Sequence, residues 1–234
     1  MKRKFVLVGK ILVCFLVFEF LAVFVPELWA LFLQHTSLDD ETMVQLYQAG
    51  SSLLMILVAF PGFVLTMRLF GTLPSFSWKE ERRATTGELV KYFFLSILPV
   101  FLLYGVAFII SRVNHISLQN MLGSLNWGDV IREGILGCLI MPVMEEVMFR
   151  GFMLHKLQEG GTVFAIVVTT LFFAIGHNNP TNIILGLATG WLFAYIVLKH
   201  GGIRYALLCH ITVNILGNLA IPGIIQMVSS LRTF

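Results

Sequence analysis

Seven apolar segments constrain this chain more than any other feature. They lie near 5–33, 44–70, 89–111, 129–158, 162–177, 181–199 and 203–232. A bilayer crossing needs roughly 20 apolar residues in a helix. The segments therefore predict an all-α fold, a polytopic transmembrane helical bundle of about seven to eight spans. The first, fourth and last exceed one crossing, so tilt, an interfacial portion or a bend at Pro26, Pro142 or Pro222 is expected. Two short helices meeting at Pro222 would make eight elements. Composition agrees: 57% of residues are hydrophobic and 12% charged, against about 25% charged in soluble domains. No internal repeat or low-complexity tract is visible.

The net charge of +3 is not a nucleic-acid signal, because it follows from basic loops. Lys2, Arg3, Lys4 and Lys10 cluster at the start. Arg68, Lys79, Arg82, Arg83 and Lys91 surround the second loop, Arg150 and Lys156 approach the fourth, and Lys199 and Arg204 flank the sixth. These are 13 of the 16 Lys and Arg; Arg112, Arg132 and Arg232 fall on the other side with Asp39-Asp40-Glu41. The positive-inside rule then places the N-terminus in the cytoplasm. Seven crossings would leave the C-terminus outside, and a re-entrant end would reverse that. The first apolar run is too long for a signal-peptide core and has no small-x-small cleavage site, so it reads as a retained span. Cys14, Cys138 and Cys209 have no disulfide or zinc-knuckle spacing.

Polar residues inside apolar segments carry the functional information. Glu145, Glu146 and Arg150 lie within six residues of the fourth segment. Each ionisable group at a membrane helix centre costs about 2.5–3.5 kcal/mol even on lenient scales. The i, i+4 spacing pairs Glu146 with Arg150 and turns Glu145 about 100° away. Glu145 is left without a partner on its own helix, which suits general acid/base work. His177 ends the fifth segment, and His210 and Asn214 share a face of the seventh. Counting about 1.5 Å per residue from the Gly160-Gly161 turn puts Glu145 and His177 at roughly equal heights, about 22–25 Å. From Gly201-Gly202, His210 and Asn214 lie at only about 12 and 18 Å. Other polar positions read as structural. Lys10 is expected to snorkel, Gly186 and Gly190 to allow close helix packing, and His35, His115, His155 and His200 to have no chemical role. Glu19 is expected to face the bundle interior, with no identifiable partner.

Three ordered patterns, EExxxR at Glu145–Arg150, FxxxH at Phe173–His177 and HxxxN at His210–Asn214, resemble the CAAX protease and bacteriocin-processing family of intramembrane endopeptidases. The resemblance covers about residues 129–219. It implies a glutamic-type protease with its site in a polar cavity in the membrane, in which Glu145 activates water and His177 holds or polarises it. His210 and Asn214 would stabilise the oxyanion, and Glu146 and Arg150 would organise the site. It divides the chain into N-terminal spans over 1–128 and a catalytic core over 129–234 of one membrane domain. No cofactor is expected; were zinc used, Glu145, His177 and His210 would be its ligands. Expected partners are membrane lipids and a membrane-associated peptide or protein substrate, and no nucleic acid; a homo-oligomer is left open, with Gly186 and Gly190 as one place for a dimer contact. Short loops and the basic start look bacterial. A proton-coupled transporter and a non-catalytic bacteriocin-immunity protein are the alternatives. Against them stand the lack of repeat symmetry and the complete polar set.

Overall fold

A computed structural model describes residues 2–122, 125–177 and 179–231. Arg232 lies outside them, as do the side chains of Lys2 and Arg3. The described residues form eight helical rods. They are α1 (Lys2–Leu33), α2 (Asp40–Leu69), α3 (Thr86–Val113), α4 (Leu118–Leu122), α5 (127–160), α6 (Thr162–Ile175), α7 (Pro180–His200) and α8 (Arg204–Leu231). The eighth element is the short α4, not a break at Pro222, because α8 runs through that proline.

Five rods, α1, α2, α3, α7 and α8, are long and apolar enough to cross a membrane. In α5 every stretch of 18 residues holds at least three Asp, Glu, Lys or Arg, so its length alone would allow a crossing. The apolar α6 is shorter, at 14 residues. Together the apolar helices make this a multi-pass membrane protein.

Four stretches widen from α-helical to π-helical turns: Met55–Ala59, Glu133–Ile140, Glu146–Leu154 and Ile215–Ala220. Three of them end two residues before a proline, namely Pro61, Pro142 and Pro222. Proline lacks an N–H and its ring presses on the carbonyl four residues back. A wider turn before it relieves both problems. Glu146–Leu154 has no such proline behind it, and it contains Glu146 and Arg150. Wide turns without a local cause concentrate at functional sites.

One apolar core joins the rods. Ile11, Cys14, Phe15 and Phe18 of α1 pack with Phe63 and Met67 of α2, Met148 and Met153 of α5, Phe173 of α6 and Phe193 of α7. Close approach of α6 and α7 depends on the two glycines noted above. A Cβ on Gly186 would lie 3.1 Å from Ala174 Cα, and one on Gly190 3.1 Å from Thr170 Cγ2. The small-residue pair is thus spent within this chain. All three cysteines are free thiols.

The end bearing the basic loops is tied down by hydrogen bonds. The segment after α2 lies on the turn after α7: Glu81 and Arg82 donate backbone N–H groups to His200 O, and Ile203 N–H donates to Ser77 O. A Cβ on Gly202 would overlap the Lys79 backbone. His200 is buried here, with Nε2 2.9 Å from Tyr92 Oη and Nδ1 2.9 Å from Arg82 O. It is a structural joint between the loop, α3 and α7. Lys10 does not simply snorkel, since its Nζ donates to Phe70 O at the end of α2 at 3.1 Å.

Candidate functional site

The wide turns of α5 present Glu146 and Arg150 to α6, α7 and α8. Both side chains are fully buried, and Arg150 Nη1 donates to Glu146 Oε1 at 3.0 Å. Arg150 Nη2 donates to Gly190 O on α7 at 3.2 Å. Its guanidinium lies 4.1 Å from the centroid of the Phe173 ring and 5.3 Å from that of Phe193. Charge, hydrogen bond and ring faces together offset the desolvation of the arginine. Its carboxylate partner is shared. His210 Nδ1 also lies 2.9 Å from Glu146 Oε1.

The other nitrogen of His210, Nε2, is 3.3 Å from Glu145 Oε2. The imidazole therefore bridges two adjacent carboxyl groups of α5. Stacking on Phe193 at 5.2 Å and edge contact with Phe173 at 5.6 Å hold its plane. Two ring nitrogens facing two carboxyls need two protons. Either the ring carries both, or the Glu145 carboxyl carries one. Glu145 is the more open acid, with 18% of its side chain exposed against 0% for Glu146.

His177 sits just past the end of α6. Its Nδ1 donates to Phe173 O at 2.7 Å, and its ring meets the Phe173 ring edge-on at 5.0 Å. The carbonyl can only accept, so Nδ1 carries the proton and Nε2 presents a lone pair in the neutral ring. Asn214 Nδ2 donates to Gly137 O at 3.0 Å, tying α8 to the wide turn before Pro142.

Two cavities meet at this cluster. The polar one, of about 180 Å³, is lined by Glu145, His177, His210 and Asn214, with Asn182, Thr189 and Asn218 added. The second, of about 100 Å³, is walled by Met and Phe side chains and by Glu19 of α1. Met141, Glu145, Phe173 and His177 line both, so the acid and the histidine stand between them.

All six residues singled out from the sequence are thus in one neighbourhood. Glu145 and His177 face common space, as the height count expects. His210 reaches Glu145 and Glu146 despite its shorter count. Glu145 is not isolated; its partner comes from α8. Sequence reasoning missed Asn182, Thr189 and Asn218. The signal for Asn218 was present, since His210, Asn214 and Asn218 continue one four-residue spacing along α8.

Among the described residues no three His, Cys, Asp or Glu converge as metal ligands. His210 has both nitrogens on carboxyl groups, and His177 keeps a single free one.

Residues 127–216 match the family model described as Rce1-like, type II CAAX prenyl endopeptidase Rce1-like. No curated protein and no solved structure matches the chain. The matched segment contains Glu145, Glu146, Arg150, His177, His210 and Asn214, the whole of the cluster drawn together above. With helices apolar enough to cross a bilayer, this is a polytopic membrane protein that is similar over residues 127–216, which hold the candidate site, to the Rce1-like type II CAAX prenyl endopeptidases.

Proposed function

We propose that the protein hydrolyses a peptide bond of a membrane-associated peptide or small protein, using water activated by Glu145 and His177. The observation that carries this reading is their shared cavity wall, with an orienting histidine and carboxamides around it. Water donating one hydrogen to Glu145 and the other to His177 Nε2 turns a lone pair toward a carbonyl carbon. Attack forms the C–O bond while Glu145 takes the proton. Glu145 then returns that proton to the departing amine as the C–N bond breaks. Holding water and carbonyl together in a confined site lowers the entropic barrier.

His210 faces carboxyl groups with both nitrogens, which suits orientation of Glu145 and adjustment of its charge. The developing oxyanion then falls to the amide N–H donors at the cavity, Asn214 foremost, with Asn182 and Asn218 beside it. Asn214 has a second hydrogen beyond the one given to Gly137 O. Glu146 and Arg150 hold His210 and Phe173 in place. No step needs a metal.

The substrate is expected to be an apolar or amphipathic peptide, matured by this cut, that reaches the site from the bilayer or from the cytoplasmic face. Purified protein in detergent should cleave such a peptide. Glu145→Ala and His177→Ala should reduce kcat by at least about 10²-fold, the lower bound for positioned acid–base groups. Folded Glu145→Ala, His177→Ala and His210→Ala proteins that cut like the parent would sink the mechanism.

A further inference from the structure

Glu19 belongs to α1, outside the segment 127–216 that carries the family match. Its position follows from the packing of α1. Ile11, Cys14, Phe15 and Phe18 bury one face of that helix. Phe15 meets Phe172 at 5.0 Å and Phe149 at 6.3 Å. Glu19, one turn beyond Phe15, is thereby drawn over the end of α6. Its Oε1 approaches Gly176, the residue before His177; a Cβ there would lie 3.3 Å from that oxygen.

The carboxylate Oε1 is buried and has no hydrogen-bond partner among the described residues. The arginine of the site is committed elsewhere, to Glu146 and Gly190. Beside Glu19 lies the smaller cavity, walled by Met55, Met141, Met144 and Met148 with Phe rings. Its other polar residues are Glu145 and His177, the pair assigned to water activation. An acid at the edge of an apolar, thioether-lined space matches a long cationic side chain, whose methylenes need apolar walls and whose charge needs a carboxylate. A charge of this kind in a membrane helix normally has a partner. Here the structure offers space for one.

We propose that Glu19 determines specificity by binding the cationic side chain, lysine or arginine, of a substrate residue next to the scissile bond. The inference rests on the endopeptidase reading and deepens it. Substrate binding would place the basic side chain in the Met-lined cavity and the peptide group across Glu145 and His177. Methionine walls can reshape around either a linear or a forked head.

The test uses the full chain in detergent and peptides that carry lysine or uncharged norleucine, in turn, at each of the two positions flanking the cleaved bond on either side. The parent should prefer lysine at one position by at least about tenfold in kcat/KM. Glu19→Gln, of nearly the same shape, should lose that preference and cut the lysine and norleucine peptides with equal kcat/KM. Glu19→Lys should favour a glutamate peptide at that position. Equal preference in parent and Glu19→Gln, or none at any position, overturns the proposal. A second readout separates this inference from the hydrolytic one. Reduced-amide analogues, which cannot be cut, should bind the parent at least about tenfold more tightly with lysine than with norleucine, and Glu19→Gln should abolish the difference. Selective binding without hydrolysis would leave the cation site standing and remove the protease mechanism. Hydrolysis without any Glu19-dependent selectivity would do the reverse.

Discussion

His210→Phe should destabilise the bundle through Glu146 far more than through Glu145. Phenylalanine keeps a ring between Phe193 and Phe173 and removes both hydrogen bonds. The bond to Glu146 is 2.9 Å and fully buried; the contact with Glu145 is 3.3 Å to a partly open acid. Hydrogen bonds to charged groups contribute about 1.5–3 kcal/mol in water-soluble proteins. Between membrane helices the average is about 0.6 and the maximum about 1.7 kcal/mol, because separated helices find other partners. Glu146 keeps Arg150 on its own helix when α5 and α8 part, which removes part of the advantage. The burial and short length push the other way, so the coupling of His210 to Glu146 should be about 1–1.7 kcal/mol. For Glu145 it should stay within about 0.5 kcal/mol, the scatter of independent sites. The assay is reversible unfolding in mixed micelles, followed by circular dichroism, for two double-mutant cycles. One pairs His210→Phe with Glu146→Leu, the other with Glu145→Leu. Glu146→Leu alone should be the worst single variant, at about 3–5 kcal/mol, since it strands a buried arginine. A larger coupling to Glu145, or additivity in the Glu146 cycle, would refute the reading of Glu146 as the structural acid.

Gly190→Val should lower stability by about 1–3 kcal/mol through overpacking. Its Cβ would press on Thr170 Cγ2 at 3.1 Å and on Phe173 Cδ1 at 3.2 Å, and Phe173 in turn supports Arg150 and His177. Peptide cleavage should fall with it; unchanged stability and cleavage would show that α6 and α7 have slack. Asp39, at the start of α2, accepts hydrogen bonds from the Thr42 N–H and hydroxyl, which hold its pKa below the ordinary 3.8. A lowered folded-state value means stability present above pH 3.8 and lost as pH falls through the folded value. The stability gap between parent and Asp39→Asn, measured by thermal unfolding, should narrow below pH 3.8. A gap independent of pH would contradict the cap.

Helix placement was largely legible because membrane spans advertise themselves in hydropathy. The segment expected over 129–158 appears as 127–160, and that expected over 181–199 as Pro180–His200. The wide turns were only partly legible. Pro61, Pro142 and Pro222 mark three of them after the fact, whereas nothing local marks Glu146–Leu154. That turn answers to partners on α7 and α8, which a window of sequence does not contain. The same limit applies to the site. Spacing pairs Glu146 with Arg150, since both lie on one helix, but it cannot show that His210 also bonds Glu146 and Glu145. His200 is structural, as read, but the sequence does not show its partners, Tyr92 of α3 and Arg82 of the loop before it, which lie more than 100 residues earlier in the chain.

The charge density of α5 has a consequence for the order in which the protein assembles. Three ionisable residues near the middle of a helix cost about 7–11 kcal/mol against lipid on the lenient scale. The groups that shelter them, Gly190 O and His210, lie on α7 and α8 and emerge from the ribosome only after α5 has been made. The helix therefore cannot be handed to the bilayer alone in its turn. It must wait at the insertion machinery, or at the water interface, until α6, α7 and α8 follow and enter with it as one unit. The buried polar cluster is then also the latch that closes biogenesis: the bundle around it becomes lipid-soluble only when the polar residues have met.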